Sequence, residues 1–153
     1  MFFETFTSLE TLISLRQQWR EQQRTVVLTN GAFDLLHAGH VTYLQAARAL
    51  GDVLIVGLNS DASVRAYKSP DRPIVPEQQR GIVLKALRCV DYVTLFQELT
   101  AEHLVAALQP EIYVKGGDWM SLVGLQRNGT IWVAEGTDDT MSGKPSKERK
   151  WKI

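Results

Sequence analysis

A second cysteine, an excess of charge of either sign and a long apolar run are all missing from this sequence. Cys89 is the lone cysteine among 153 residues, which excludes a disulfide framework and a cysteine-rich zinc site and fits a reducing compartment. Its expected role is core packing. Seventeen basic and 17 acidic side chains cancel to zero formal net charge. No global field therefore gathers nucleic acid or an anionic membrane, and any anion must be held locally. No apolar window approaches the roughly eighteen residues of a membrane span, and the start MFFETFTSLE lacks the basic-then-apolar form of a leader. A soluble, cytoplasmic protein with neither nucleic acid nor membrane as a partner is expected. Internal repeats and low-complexity tracts are absent as well.

A hydrophobic content of 44% over this length supports one domain with a real core and is too little for two. We expect a single domain over residues 1–153: an N-terminal helix over about 8–23, a core over 25–134 and a polar, basic tail over 135–153. Thr7-x-x-Glu10 has the form of a capping box opening the first helix. Residues 25–29 (TVVLT) make a short strand that stops at Asn30-Gly31, and VLIVGLN, Val53–Asn59, reads as a strand covered on both faces of a parallel sheet. Between them Tyr43, Ala46, Ala47 and Leu50 recur at helical spacing before Gly51. The polar stretch 62–76, with Pro70, Pro73 and Pro76, is expected to be a long surface loop. Val83, Ala86, Leu87 and Val90 mark another helix, residues 91–96 a strand, and Ala101, Leu104, Val105 and Leu108 a helix ended by Pro110. Ile112–Lys115 and Thr130–Ala134 complete an alternation that points to an α/β fold, an open, mostly parallel five-stranded sheet with helices on both faces.

The chemistry concentrates in TNGAFDLLHAGH, residues 29–40, where two of the three histidines, His37 and His40, flank Gly39 at a strand-to-helix turn. In an open parallel sheet that is the ligand edge. A helix start presents unpaired N–H groups and a positive dipole end, which favour phosphate. His37 and His40, one turn apart, can converge on one phosphoryl group, with Gly39 leaving room between them. Competing readings of the pair are a structural role and a zinc site. Zinc would need further ligands, and Cys89 and His103 are distant in sequence. His103 itself reads as a surface residue of a later helix, and Asp34 as a helix cap or a site residue.

His37-Ala38-Gly39-His40 resembles the signature of the nucleotidyltransferases of the H-x-G-H type. The likeness continues through YLQAARALGD, LIVGLNSDASV, RPIVP, VDYVTLF and PEIYVKGGDW, in the order found in bacterial enzymes that adenylylate D-glycero-β-D-manno-heptose 1-phosphate. It implies a Rossmann-like core and transfer of AMP from ATP to the sugar 1-phosphate, giving ADP-heptose, a lipopolysaccharide precursor, and pyrophosphate. No carboxylate cluster in the sequence suits an all-protein magnesium cage, so Mg2+ is expected to arrive with the triphosphate, and a homodimer is expected. By resemblance His37, His40 and Lys68 are catalytic, as donors to the reacting phosphorus. Asn30, Gly31, Ala32, Phe33, Gly39, Lys115, Gly116, Gly117 and Asp118 bind the nucleotide, and Asp34, Asn59, Asp61 and Arg72 bind the acceptor. Arg80 matches a family arginine whose usual glutamate partner is replaced here by Gln78.

The tail departs from the family, whose closing helix begins with a Ser/Thr-Thr pair and holds the outer phosphates. Here TDDTMSGKPSKERKWKI offers Thr140 and Ser142 as stand-ins, followed by Pro145 and a basic run without an apolar stripe. Two other readings therefore stay open: a cytidylyltransferase acting on glycerol 3-phosphate, and a nucleotide-binding module without turnover.

Overall fold

The computed structural model describes residues 4–115, 130–134 and 148–152. Helix α1 (Leu9–Glu21) turns Leu12, Arg16 and Trp19 inward, a spacing that keeps them on one face. Its cap is Ser8, whose Oγ accepts the Thr11 N–H at 3.2 Å. The Thr7 capping box expected from sequence does not form, because Thr7 gives its own N–H to the Val93 carbonyl at 2.8 Å and is drawn onto the sheet edge.

The chain then alternates through β1 (Val26–Gly31), α2 (Ala38–Arg48), β2 (Val53–Asn59), α3 (Asp61–Tyr67), α4 (Glu77–Lys85), β3 (Tyr92–Phe96), α5 (Glu102–Leu108) and β4 (Ile112–Lys115). The four strands form one parallel sheet in the order β3-β2-β1-β4. Strand alternation separates two cores. Val26, Leu28, Val53 and Ile55 meet α1 and α5 through Leu12, Trp19, Leu104 and Leu108. Val27, Leu54, Val56 and Leu58 meet α2 and α4 through Leu44, Ala47 and Leu84. Each fully buried leucine contributes roughly 1.5–3 kcal/mol by leaving water. Gly57 sets the depth of one layer, since a Cβ there would lie 2.6 Å from Leu104 Cδ2.

Three expectations need correction. Thr130–Ala134 is a strand, β5, but it pairs antiparallel with β6 (Glu148–Lys152) in a separate two-stranded sheet. The parallel sheet thus has four strands among the described residues rather than five, and part of the polar tail is extended. The loop expected over 62–76 opens as helix α3. Seven residues are too few to show periodicity, and its start rests on polar bonds: Ser60 Oγ accepts the Ser63 N–H at 3.1 Å, and Ser63 Oγ donates to the Glu98 carbonyl at 2.9 Å. Finally, α4 turns Arg80, Gly81 and Leu84 inward, whereas Val83 is exposed. Cys89 is half-buried against the second core, and that burial first, with Asp91, pushes its thiol pKa up.

Candidate active site at the carboxyl edge of the sheet

Because β2 and β4 flank β1 on opposite sides, the chain reverses direction of growth beside β1, and the space outside the carboxyl ends of β1 and β4 is where open α/β sheets hold their ligands. Asn30 and Lys115 are register partners at this rim. Beneath them the Tyr113 hydroxyl donates to Asn30 Oδ1 at 2.5 Å. Burial, with Tyr43 nearby, pushes the Tyr113 pKa up to about 12, so the phenol keeps the proton it donates. From α2, the Tyr43 hydroxyl donates to the Val114 carbonyl at 3.1 Å and contacts Thr29 Oγ1 at 2.5 Å, stitching both strands to the helix that carries the histidines.

The loop out of β1 is shaped by Phe33, a buried non-glycine residue at φ 45°. Such left-handed backbone costs on the order of 1–3 kcal/mol and persists where its surroundings enforce it. The Phe33 ring is packed beside Gly31, where a Cβ would lie 3.0 Å from Phe33 Cε2, and meets the His40 ring edge-on at 5.3 Å.

His37 is the N-cap of α2, its Nδ1 accepting the Gly39 N–H at 3.1 Å. His40 Nδ1 accepts the His37 N–H at 3.4 Å. The rings lie against each other with centroids 4.0 Å apart and planes tilted by 34°. This changes the expected picture: two helix-start N–H groups are taken by imidazole nitrogens rather than left for an anion. An imidazole whose Nδ1 accepts carries its proton on Nε2 when neutral. Both rings therefore turn an Nε2–H donor away from the backbone, replacing the donors they consume. Gly39 serves His37 directly, since a Cβ there would lie 2.9 Å from His37 Cε1. Burial first, then the charges of His37 and Lys68, hold the His40 pKa below the ordinary imidazole value, which favours the neutral ring.

Lys68 closes α3, its N–H donating to the Val64 carbonyl at 2.9 Å and its Nζ 5.9 Å from the Tyr67 ring centroid. The same loop is docked by Asp34. Asp34 Oδ1 accepts the Ile74 and Val75 N–H groups at 2.8 and 2.9 Å, and Oδ2 accepts from Arg72 at 2.8 Å. The helix-cap reading of Asp34 is thus excluded, because His37 holds that position. Asn59 Nδ2 donates to Ser63 Oγ at 3.0 Å, and Asp61 pairs with Arg80 at 2.6 Å.

Residues 30–40, Lys68, Arg72 and Lys115 come together at this rim. Asn59, at the carboxyl end of β2, and Asp61, at the start of α3, are occupied by protein partners. Gly116, Gly117, Asp118, Thr140 and Ser142 fall outside the described residues. His103 stands apart on α5, exposed and 3.3 Å from Glu98. Sequence reasoning left Arg80 without a role because it sought a partner at position 78, and the partner is Asp61, nineteen residues away. The one signal available was a charged residue beside Gly81 on an otherwise inward helix face.

Among the described residues no group of three His, Cys, Asp or Glu side chains is placed to hold a metal ion, and Asp34 and Asp61 are committed to arginines. Nor is any described helix long and apolar enough to cross a membrane.

The family model described as cytidylyltransferase-like matches residues 28–135. The chain is 59% identical over 110 residues to the bifunctional protein HldE of Trichlorobacter lovleyi, covering 72% of this chain and 22% of that protein. Against the protein of the same name from Wolinella succinogenes it is 52% identical over 116 residues, 76% of this chain and 24% of the relative. Against that of Helicobacter pylori strain G27 it is 51% identical over 118 residues, 77% and 26%. The chain thus spans about a quarter of the length of these curated relatives. A solved lipopolysaccharide core biosynthesis protein from Thermoplasma volcanium superposes with a TM-score of 0.57 at 33% identity, covering 62% of this chain and 76% of that one.

Proposed function

The chain belongs to the cytidylyltransferase-like family, and from that premise we propose that it transfers AMP from ATP to D-glycero-β-D-manno-heptose 1-phosphate. A phosphate oxygen of the sugar attacks the α-phosphorus of ATP in line, the bond to the β-phosphate oxygen breaks, and ADP-heptose and pyrophosphate leave. Chemistry of this kind asks the protein for position and for donors where negative charge builds, not for a covalent intermediate.

The observation that carries the reading is the reciprocal cap of His37 and His40, which commits both Nδ1 atoms to backbone and leaves both Nε2–H groups as donors. A neutral His40 donates without first having to gain a proton. In this reading Lys68, close enough for its charge to be felt at His40, neutralises the phosphates, and Arg72 assists once released from Asp34. Asn30, Gly31, Ala32, Phe33 and Lys115 line the nucleotide crevice. The resemblance of the VKGGDW stretch favours ATP over CTP and assigns Gly116, Gly117 and Asp118 to the nucleoside and Thr140 and Ser142 to the outer phosphates. Asp34, Asn59 and Asp61 then act on the acceptor by shaping its wall. With Asp34 and Asp61 engaged by arginines, Mg2+ belongs to the substrate, as the counter-ion of the triphosphate. The likeness to proteins named HldE and to a lipopolysaccharide core biosynthesis protein supports a sugar phosphate acceptor.

One nucleotidyltransferase domain, a cytoplasmic location and a homodimer complete the reading. The exposed Ile82 and Val83 on α4 support an interface, which sedimentation tests. The function itself is tested by pyrophosphate release from MgATP with the heptose phosphate, set against MgCTP with glycerol 3-phosphate. Faster release from the second pair overturns the reading. Nucleotide binding without release from either pair reduces the chain to a binding module.

A further inference from the structure

Arg80 heads the largest fully buried side chains of the described residues. A guanidinium taken out of water is costly unless every donor finds a partner, and here the fork is well supplied. Nε donates to the Val75 carbonyl at 2.8 Å, Nη1 to the Ala32 and Asn59 carbonyls at 2.5 and 2.9 Å, and Nη2 to Asp61 Oδ1 at 2.6 Å. These acceptors lie in four segments: the loop out of β1, the end of β2, the start of α3 and the end of the proline-punctuated loop. Lysine, a point charge with three donors, does not match such a fork.

Two of these bonds lead straight to the site. The peptide held at the Ala32 carbonyl is the one whose nitrogen belongs to Phe33, so Arg80 grips the left-handed turn that sets the Phe33 ring against His40. Val75, held by its carbonyl, gives its N–H to Asp34, which in turn holds Arg72. The histidine loop and the loop that follows Lys68 are thus tied to one guanidinium.

We propose that Arg80 is a positioning residue: it touches no substrate, yet it seats His40, through the Ala32–Phe33 peptide, and Asp34, through Val75. The kinetic part of this inference rests on the function proposed above, and the structural part does not.

The test uses the full chain with Arg80→Lys, and with Asp61→Asn in case the first variant does not fold. His40 ring-proton resonances are compared with those of wild type and of Phe33→Leu, which removes the neighbouring ring. The expected result is a folded Arg80→Lys protein whose His40 signals move toward those of Phe33→Leu. Its kcat falls about 10²-fold, the size of effect that a misplacement near 1 Å produces, and its KM for ATP changes far less. Wild-type His40 signals together with wild-type kcat in folded Arg80→Lys overturn the proposal and leave a core staple. If only Asp61→Asn folds, the His40 signals decide alone, displaced in support and unmoved against. Absence of pyrophosphate release in wild type sinks the proposed function and leaves the resonance comparison to decide Arg80 by itself.

Discussion

Asp61 and Glu77 cap one another: the Asp61 N–H donates to Glu77 Oε2 at 2.7 Å, and the Glu77 N–H donates to Asp61 Oδ1 at 2.9 Å. Each residue opens a helix, α3 or α4, and each satisfies an orphan donor of the other. Glu77→Ala leaves the Asp61 N–H without its partner and should cost about 1 kcal/mol, a fall in Tm of about 2–4 °C for a domain of this size. Glu77→Gln keeps an acceptor oxygen and should cost less. Equal melting temperatures for Glu77→Ala and wild type would show that water replaces the bond without loss.

His40→Ala removes a donor, a long 3.4 Å cap bond and the ring contacts with Phe33 and His37. Pyrophosphate release should fall on the order of 10²–10³-fold, while stability falls by about 1–2 kcal/mol at most, the worth of a weak cap and an aromatic pair. Turnover and melting measured on one preparation decide this. Full activity per folded molecule in a destabilised variant would return His40 to a structural role.

Gly39→Ala separates stability from chemistry by sign. Alanine favours a helix over glycine by up to about 1 kcal/mol, yet its Cβ would stand 2.9 Å from His37 Cε1 and displace that ring. The expected outcome is an unchanged or higher Tm with turnover reduced at least about tenfold, as for a preorganised donor moved off line. Wild-type turnover would mean that the His37 ring position is immaterial.

Lys68 and His40 are linked by charge. Burial first, then His37 and Lys68, lower the His40 pKa, so Lys68→Ala should raise it toward the ordinary imidazole value. A base with a lowered folded pKa adds stability above its unfolded pKa, and that stability is lost as the pH falls through the folded one. In the variant this acid-side loss should shrink, because the folded pKa lies closer to the unfolded one. Titration of the His40 ring by NMR checks the direction, and an unmoved or lowered value counts against the link.

Asp34 supplies the acid-side test. Burial alone would raise its pKa, but hydrogen bonds from Val75, Arg72 and Ile74 and the charge of Arg72 outweigh it and hold the carboxyl below the ordinary range. A lowered carboxylate contributes stability that is fully present above its unfolded pKa and disappears as the pH falls through the folded one. Asp34→Asn should therefore be less stable than wild type at neutral pH, with a shallower dependence below the ordinary carboxylate pKa. Parallel denaturation midpoints across that window would show that Asp34 does not titrate with folding.

Much of the architecture was legible along the chain because its causes are local. VLIVGLN is apolar throughout and became β2 over the residues read for it, Val53–Asn59. Ala101, Leu104, Val105 and Leu108 share one helix face and are all buried. The strand-to-helix turn holding His37 and His40 was equally plain from its glycines and its flanks. Tertiary structure alone decided the rest, since those outcomes depend on partners far away in sequence. Thr7 left its capping box for Val93. Asp34 found Arg72, Ile74 and Val75 instead of a helix end. Thr130–Ala134 has the composition of a strand, but only its pairing with Glu148–Lys152 placed it outside the parallel sheet. Arg80 looked unpaired beside Gln78, because a helix face can be counted in steps of three and four, whereas three carbonyls and a carboxylate from four segments meet only when the chain has folded.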